Sequence, residues 1–110
     1  MKKLTTHTDP LSGEFLKRKE HNLALLGELR SRLESVTKGG PEKARKKHTE
    51  RGKLLVRERI NLLLDPNTPF LELSPLAASG QYDEQFPSAG LVTGIGLIHG
   101  KEVMIVANDA

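Results

Sequence analysis

The apolar positions of this chain change period twice, and each change marks a new kind of element. Between Leu11 and Val36, the residues Phe15, Leu26, Leu29, Leu33 and Val36 fall at spacings of three, four and seven, with Leu23 and Leu25 widening the stripe. That pattern predicts an amphipathic helix of up to about seven turns. Asp9-Pro10 provides a helix start, with Asp as cap and Pro in the first turn, and Lys38-Gly39-Gly40 provides the stop. Asn22 lies on the seven-residue line of Phe15, Leu29 and Val36, where it either marks the edge of the stripe or sets register in a helix–helix seam. So long a helix has little in a chain of 110 residues to pack against, and its stripe is expected to meet a partner elsewhere.

Two shorter helices follow. Pro41 to Arg51 is polar except for Ala44, so packing holds it weakly, and Gly52 ends it. From Val56 to Leu64, at 100° per residue, Val56, Ile60, Leu63 and Leu64 share one face. Glu58 lies opposite, Arg57 and Arg59 flank the stripe, and Asp65-Pro66 closes the helix. Asn67 to Gln85 reads as loop, with one extended candidate at Phe70 to Leu73. Its small-residue tract from Ala77 to Asp83 is expected to be mobile or ordered by a partner.

The second change of period comes at Leu91. Two β-rich runs, Leu91 to Ile98 and Glu102 to Asn108, are joined by His99-Gly100, a two-residue hairpin connection in which Gly100 supplies a positive φ. The segment Val103 to Ala107 lacks polar alternation, which predicts a strand covered on both faces. The preceding helices cannot cover both. The sequence is therefore expected to be the N-terminal part of a larger protein.

Composition narrows the chemistry. There is no cysteine, so disulfides, thiolate metal sites and a Cys nucleophile are excluded. The N-terminus has two lysines but no apolar segment after them, and no run approaches the length of a membrane span. The expected location is the cytoplasm, with no membrane partner. The formal charge of +3 is concentrated: residues 42–59 hold eight Lys/Arg against three Glu, and the rest of the chain is slightly acidic.

The four histidines (His7, His21, His48 and His99) lie in separate elements without metal spacing. Gly94-Ile95-Gly96 with Gly100 misses the dinucleotide fingerprint, because the last glycine comes one residue late and no helix follows. Those glycines instead permit a close approach or a bulge. Asp65 reads as a helix-ending turn residue; Asn108-Asp109 follows a strand, where either a cap or a site residue belongs. No catalytic constellation is present. The basic patch remains, with Arg51, Lys53, Arg57 and Arg59 as its candidate binding residues. It suits a phosphorylated cofactor, acidic residues of a partner subunit, or nucleic acid. The last reading, a short basic nucleic-acid-binding or adaptor module, is weakened by the lack of interleaved aromatic residues.

Six stretches in register resemble one family. They are Gly39-Gly40-Pro41-Glu42-Lys43-Ala44-Arg45, Arg51 to Ile60, Leu64-Asp65-Pro66, Pro69 to Leu73, Gly90 to Gly96, and Ile105 to Ala110. Together they are similar to the start of the carboxyltransferase β subunit of biotin-dependent acyl-CoA carboxylases, most of all the methylcrotonyl-CoA branch. The chain departs from that pattern at Pro41, where the family has Gly, and at Val56, where it has Pro; both are helix starts that tolerate the change.

The resemblance implies an α/β fold of the crotonase type, built from ββα units. Residues 1–40 would be a tail and long helix, and residues 41–110 the first part of the N-terminal carboxyltransferase domain. It implies carboxyl transfer from biotin, carried by a biotin carboxylase/carrier α subunit, to the γ-carbon of a branched enoyl-CoA such as 3-methylcrotonyl-CoA. Homo-oligomeric β subunits and a role in leucine catabolism come with it, and no metal is implied in this piece. The family's oxyanion-stabilising glycines would follow Ala110, so no catalytic residue is carried over and the 110 residues alone are expected to be inactive. Arg51, Lys53, Arg57 and Arg59 would then meet either CoA phosphates or carboxylates, between subunits or within the chain.

Overall fold

The computed structural model describes residues 1–84 and 86–109. Three helices precede three strands: α1 Gly13–Thr37, α2 Glu42–Glu50, α3 Val56–Leu63, β1 Leu71–Leu73, β2 Leu91–Ile98 and β3 Lys101–Asn108. The chain divides into two compact units, Met1–Ser31 and Arg32 onward.

In the first unit the helix begins at Ser12 rather than Asp9. The Ser12 hydroxyl accepts the Phe15 N–H at 3.2 Å, which is the bond an N-cap makes. Asp9 instead accepts the Leu11 N–H at 2.9 Å and closes a turn ahead of the helix. Asn22 donates to the Arg18 carbonyl at 2.8 Å, so its amide is used within its own helix. Phe15 is half-buried, while Leu16, Leu23, Leu25, Leu26 and Leu29 stay exposed. The apolar stripe therefore finds no cover within its unit.

The second unit carries the core. Val56, Ile60 and Leu64 pack on Val92 and Ile105, with Phe70, Ile98, Val103 and Ala107 at the margin. Leu63 does not join them: it is 52 % exposed. The buried face is centred on Ile60, which leaves Leu63 on the rim. Leu64 leaves the helix in extended conformation (φ −73°, ψ 153°), which takes its side chain over the sheet. The Glu58 carboxylate, read from the sequence only as the exposed side, accepts the Leu55 N–H at 2.8 Å and caps the start of α3.

The sheet is antiparallel throughout, in the order β1-β2-β3. Leu71 opposes Ile95, and Leu91 opposes Asn108, so Val92, Gly94, Gly96 and Ile105 share the face toward α3. Phe70, expected to open the strand, lies just ahead of it and packs on that face. Gly94 and Gly96 make the packing feasible. A Cβ on Gly94 would come within 2.4 Å of Phe70 Cζ and 2.5 Å of the Leu71 carbonyl oxygen, and one on Gly96 within 2.3 Å of Leu64 Cδ2. The opposite face is open among the described residues, with Met104 60 % and Val106 66 % exposed. The two-sided cover read from Val103–Ala107 is thus not supplied by this chain.

The hairpin connection has φ 51° at His99 and 73° at Gly100, as a two-residue turn requires. The tract 77–83 is a succession of turns and not an irregular loop. Ala77 N–H bonds the Ser74 carbonyl, Ser79 N–H that of Leu76 and Gln81 N–H that of Ala78. The tract is also tied across to residues 88–89: Ala89 N–H donates to the Ala77 carbonyl, and the buried Ser88 hydroxyl donates to Pro75 at 2.9 Å. Small side chains allow these successive tight turns. No helix among the described residues is long and apolar enough to cross a membrane.

Candidate functional site

The four cations singled out from the sequence are separated by the fold. Arg57 is about 60° from the centre of the buried face of α3, nearer than Arg59. It reaches the inner side of the sheet and meets Glu72 through two bonds, Nη2 to Oε1 at 2.6 Å and Nε to Oε2 at 3.3 Å. A bidentate guanidinium–carboxylate pair uses both oxygens of the acid. Arg57 is therefore an internal ion-pair partner. Arg51 is exposed at the C-terminal cap of α2, its N–H bonded to the His48 carbonyl.

Lys53 and Arg59 come together. With His48, Leu54 and Asn108 they line an open groove of about 470 Å³. Three local features place them. Gly52, at φ 72°, reverses the chain after α2 and brings Lys53-Leu54 back past its last turn. His48 Nε2 lies 3.0 Å from the Leu54 carbonyl oxygen; that oxygen only accepts, so Nε2 carries the proton and fixes the reversal. Arg59 projects from the first turn of α3, and Asn108 closes the far end of β3. No carboxylate lines the groove, and among the described residues neither Lys53 nor Arg59 makes an ion pair.

Asn108 and Asp109 separate as neighbours at a strand end do. The Asp109 N–H donates to the Gly90 carbonyl at 3.0 Å, while its half-buried carboxyl faces inward beside Gly39, Arg45 and Arg57. Burial raises its pKa above the ordinary value; the nearby positive charge of Arg57, then His48, offsets part of that shift, while Glu72 adds to it. Asp65 shifts the other way. Its two oxygens accept the N–H groups of His99 and Gly100, each at 2.7 Å, and its own N–H donates to the Leu97 carbonyl at 2.9 Å. The bond from Gly100, then that from His99, lowers its pKa. Asp65 therefore fastens the end of α3 to the hairpin turn, beyond the simple turn role read from the sequence.

His48 and Asn108 were missed as groove members, and Glu72 as a partner of Arg57. The alternation Leu71-Glu72-Leu73 pointed the other way, since it reads with the leucines inward, whereas in the fold the leucines are exposed and the Glu72 side chain is turned in. Chemically, the groove can hold an anion; it contains no nucleophile–base pair. Among the described residues, no group of three His, Cys, Asp or Glu could hold a metal ion.

Comparison with known proteins gives this arrangement a context. Residues 47–110 match the model of the carboxyl transferase domain. A biotin-dependent 3-methylcrotonyl-coenzyme A carboxylase β1 subunit of Mycobacterium tuberculosis is 56 % identical over 86 residues, covering 78 % of this chain and 16 % of the relative. A probable mitochondrial methylcrotonoyl-CoA carboxylase β chain of Drosophila melanogaster is 49 % identical over 108 residues, covering 97 % of this chain and 19 % of the relative. Among solved structures, the β subunit of geranyl-CoA carboxylase from P. aeruginosa superimposes with a TM-score of 0.78 at 35 % identity, over 96 % of this chain and 20 % of that one. The chain thus spans about a fifth or less of the length of these proteins.

Proposed function

From the chain's membership of the carboxyl transferase domain family, we propose that it is the N-terminal part of a β subunit that transfers a carboxyl group from biotin to a branched enoyl-CoA, 3-methylcrotonyl-CoA in the first instance. The observation that carries this reading is the level of identity to β subunits named for 3-methylcrotonyl-CoA, over more than three-quarters of the chain. The structural likeness to a β subunit named for geranyl-CoA, another branched enoyl thioester, supports the substrate class. The separation of the basic residues into an internal pair and a small groove gives no continuous track for nucleic acid, and nothing in the comparisons favours an adaptor.

In this reading the helices and hairpin open a crotonase-like domain, and the remainder of the subunit covers the exposed sheet face. Biotin, supplied by an α subunit, brings the carboxyl group. The β subunits assemble with one another, and the stripe of α1 is available for that contact.

The reading is tested by expressing the subunit that contains this chain together with its biotin-carrying carboxylase partner, and measuring ATP-dependent fixation of labelled bicarbonate. Avidin-sensitive fixation dependent on 3-methylcrotonyl-CoA is expected. The isolated 110 residues should give none. Absence of fixation by an assembled, biotinylated complex would overturn the reading.

A further inference from the structure

Among the described residues, the Asp109 carboxyl makes no ion pair and no side-chain hydrogen bond. The positive groups around it are engaged elsewhere. Arg57 is held by both oxygens of Glu72, Arg45 Nε donates to the Gly40 carbonyl at 3.0 Å, and His48 Nε2 bonds the Leu54 carbonyl. Burial is the largest influence on the carboxyl and disfavours its charge, and the positive charge of Arg57 and His48 offsets only part of that. A half-buried carboxylate in this position is destabilised until a cation meets it.

The space beside it has the shape of one side chain. Asp109 lines a cavity of about 200 Å³ between the start of α2 and residues 86–90. The walls are Pro41, Ala44, Phe86 and Pro87, and Asp109 is the single ionisable group in the lining. This volume falls below the roughly 300–1,000 Å³ of pockets that take free small molecules. Apolar walls with one carboxylate match an apolar stem that ends in one compact charge, which is the form of lysine. Arginine would bring five donors, and the Gly40 and Gly90 carbonyls already accept from Arg45 and from the Asp109 N–H. No lysine of the described residues lines the cavity, and most of a subunit of this family lies outside residues 1–110.

We propose that the cavity walled by Pro41, Ala44, Phe86 and Pro87 receives a lysine side chain from the part of the same subunit outside residues 1–110, its ammonium group on the Asp109 carboxylate. The contact ties the start of α2 and the end of β3 to the rest of the subunit. It is independent of which thioester the subunit carboxylates.

Two measurements on the full-length assembled subunit test the site. In the first, oligomers assembled from ordinary and heavy-isotope subunits are treated with a water-soluble carbodiimide, which joins a carboxylate to a touching lysine as an amide, with glycine ethyl ester as a competing amine. Peptide mapping by mass spectrometry should find Asp109 joined to a lysine from beyond residue 110, both peptides of one isotopic composition. Capture of the added amine alone shows an open carboxylate and overturns the proposal. So does a link to a lysine within residues 1–110, or a link of mixed isotopic composition, which assigns the lysine to a neighbouring subunit. In the second, Asp109→Asn should lower the melting temperature of the assembled subunit at neutral pH by about 2 °C, and Asp109→Lys should lower it further by setting like charges together. In the 110 residues by themselves, which supply no such lysine, Asp109→Asn should leave stability equal or raised. An equal or raised melting temperature for Asp109→Asn in the full-length subunit overturns the proposal, including where the carbodiimide does not reach the carboxyl.

Discussion

Arg57 and Glu72 form a two-bond ion pair between α3 and β1, with side chains only 20 % and 19 % exposed. Fifteen residues separate them in sequence. The pair ties the helix that fills the core to the short edge strand that follows it. It also removes from the basic patch one of the four cations that the sequence offered either to a phosphate or to a carboxylate.

Breaking one side of this pair should cost more than removing both. Glu72→Leu or Arg57→Met leaves a half-buried charge without its partner, and each is expected to lower stability by about 1–3 kcal/mol. Arg57→Met/Glu72→Leu should recover part of that loss. Urea unfolding of the four proteins measures the coupling; additive losses would show that the two residues act independently.

The two shifted carboxyls predict opposite responses to acid. Asp65 has a folded pKa below its ordinary value of 3.8, so its contribution is present above that pH and is lost as pH falls through the lower folded value. Asp65→Asn should therefore destabilise the chain at neutral pH, with the difference from wild type narrowing below about pH 4. Asp109 has a raised folded pKa, so its contribution is full below 3.8 and is lost as pH rises through the folded value. Asp109→Asn should leave stability at neutral pH equal to or above that of wild type. Thermal melts across pH 3–7 check both; parallel profiles for Asp65→Asn and wild type would contradict the role assigned to Asp65.

Gly94 and Gly96 should differ in their tolerance of a methyl group. At Gly94 the new Cβ meets the Leu71 carbonyl oxygen, which is backbone in the paired β1 strand and has nowhere to go. At Gly96 the nearest atom is the end of the Leu64 side chain. Gly94→Ala is expected to cost about 2–3 kcal/mol and to expose the Leu71–Leu73 amides to hydrogen exchange; Gly96→Ala should cost about 1 kcal/mol and be eased by Leu64→Ala. Equal effects, with β1 protection retained, would contradict this account.

Much of this was legible in the sequence because it depends on local rules. The period of α1, the glycine after α2 and the two-residue hairpin are each written within one stretch and form where expected, while the face of α3 forms with Leu63 left on its rim. What was not legible depends on distant residues meeting. The Asp65 bonds span more than thirty residues to His99 and Gly100, so a helix-end aspartate gave no sign of its hairpin partners. The same holds for His48 and Asn108, brought together by a chain reversal and a strand end. Charge counting found the basic patch; only the fold divided it between Glu72 and the groove.

The most direct test of the central claim is the position of the new carbon in the product. With labelled bicarbonate, ATP, the subunit assembled with its biotin-charging partner, and 3-methylcrotonyl-CoA beside an equal amount of a saturated acyl-CoA, carbon NMR of the products should show the label bonded to the γ-carbon of the enoyl chain. Label at the α-carbon of a saturated acyl-CoA, with none transferred to the enoyl substrate, would contradict it.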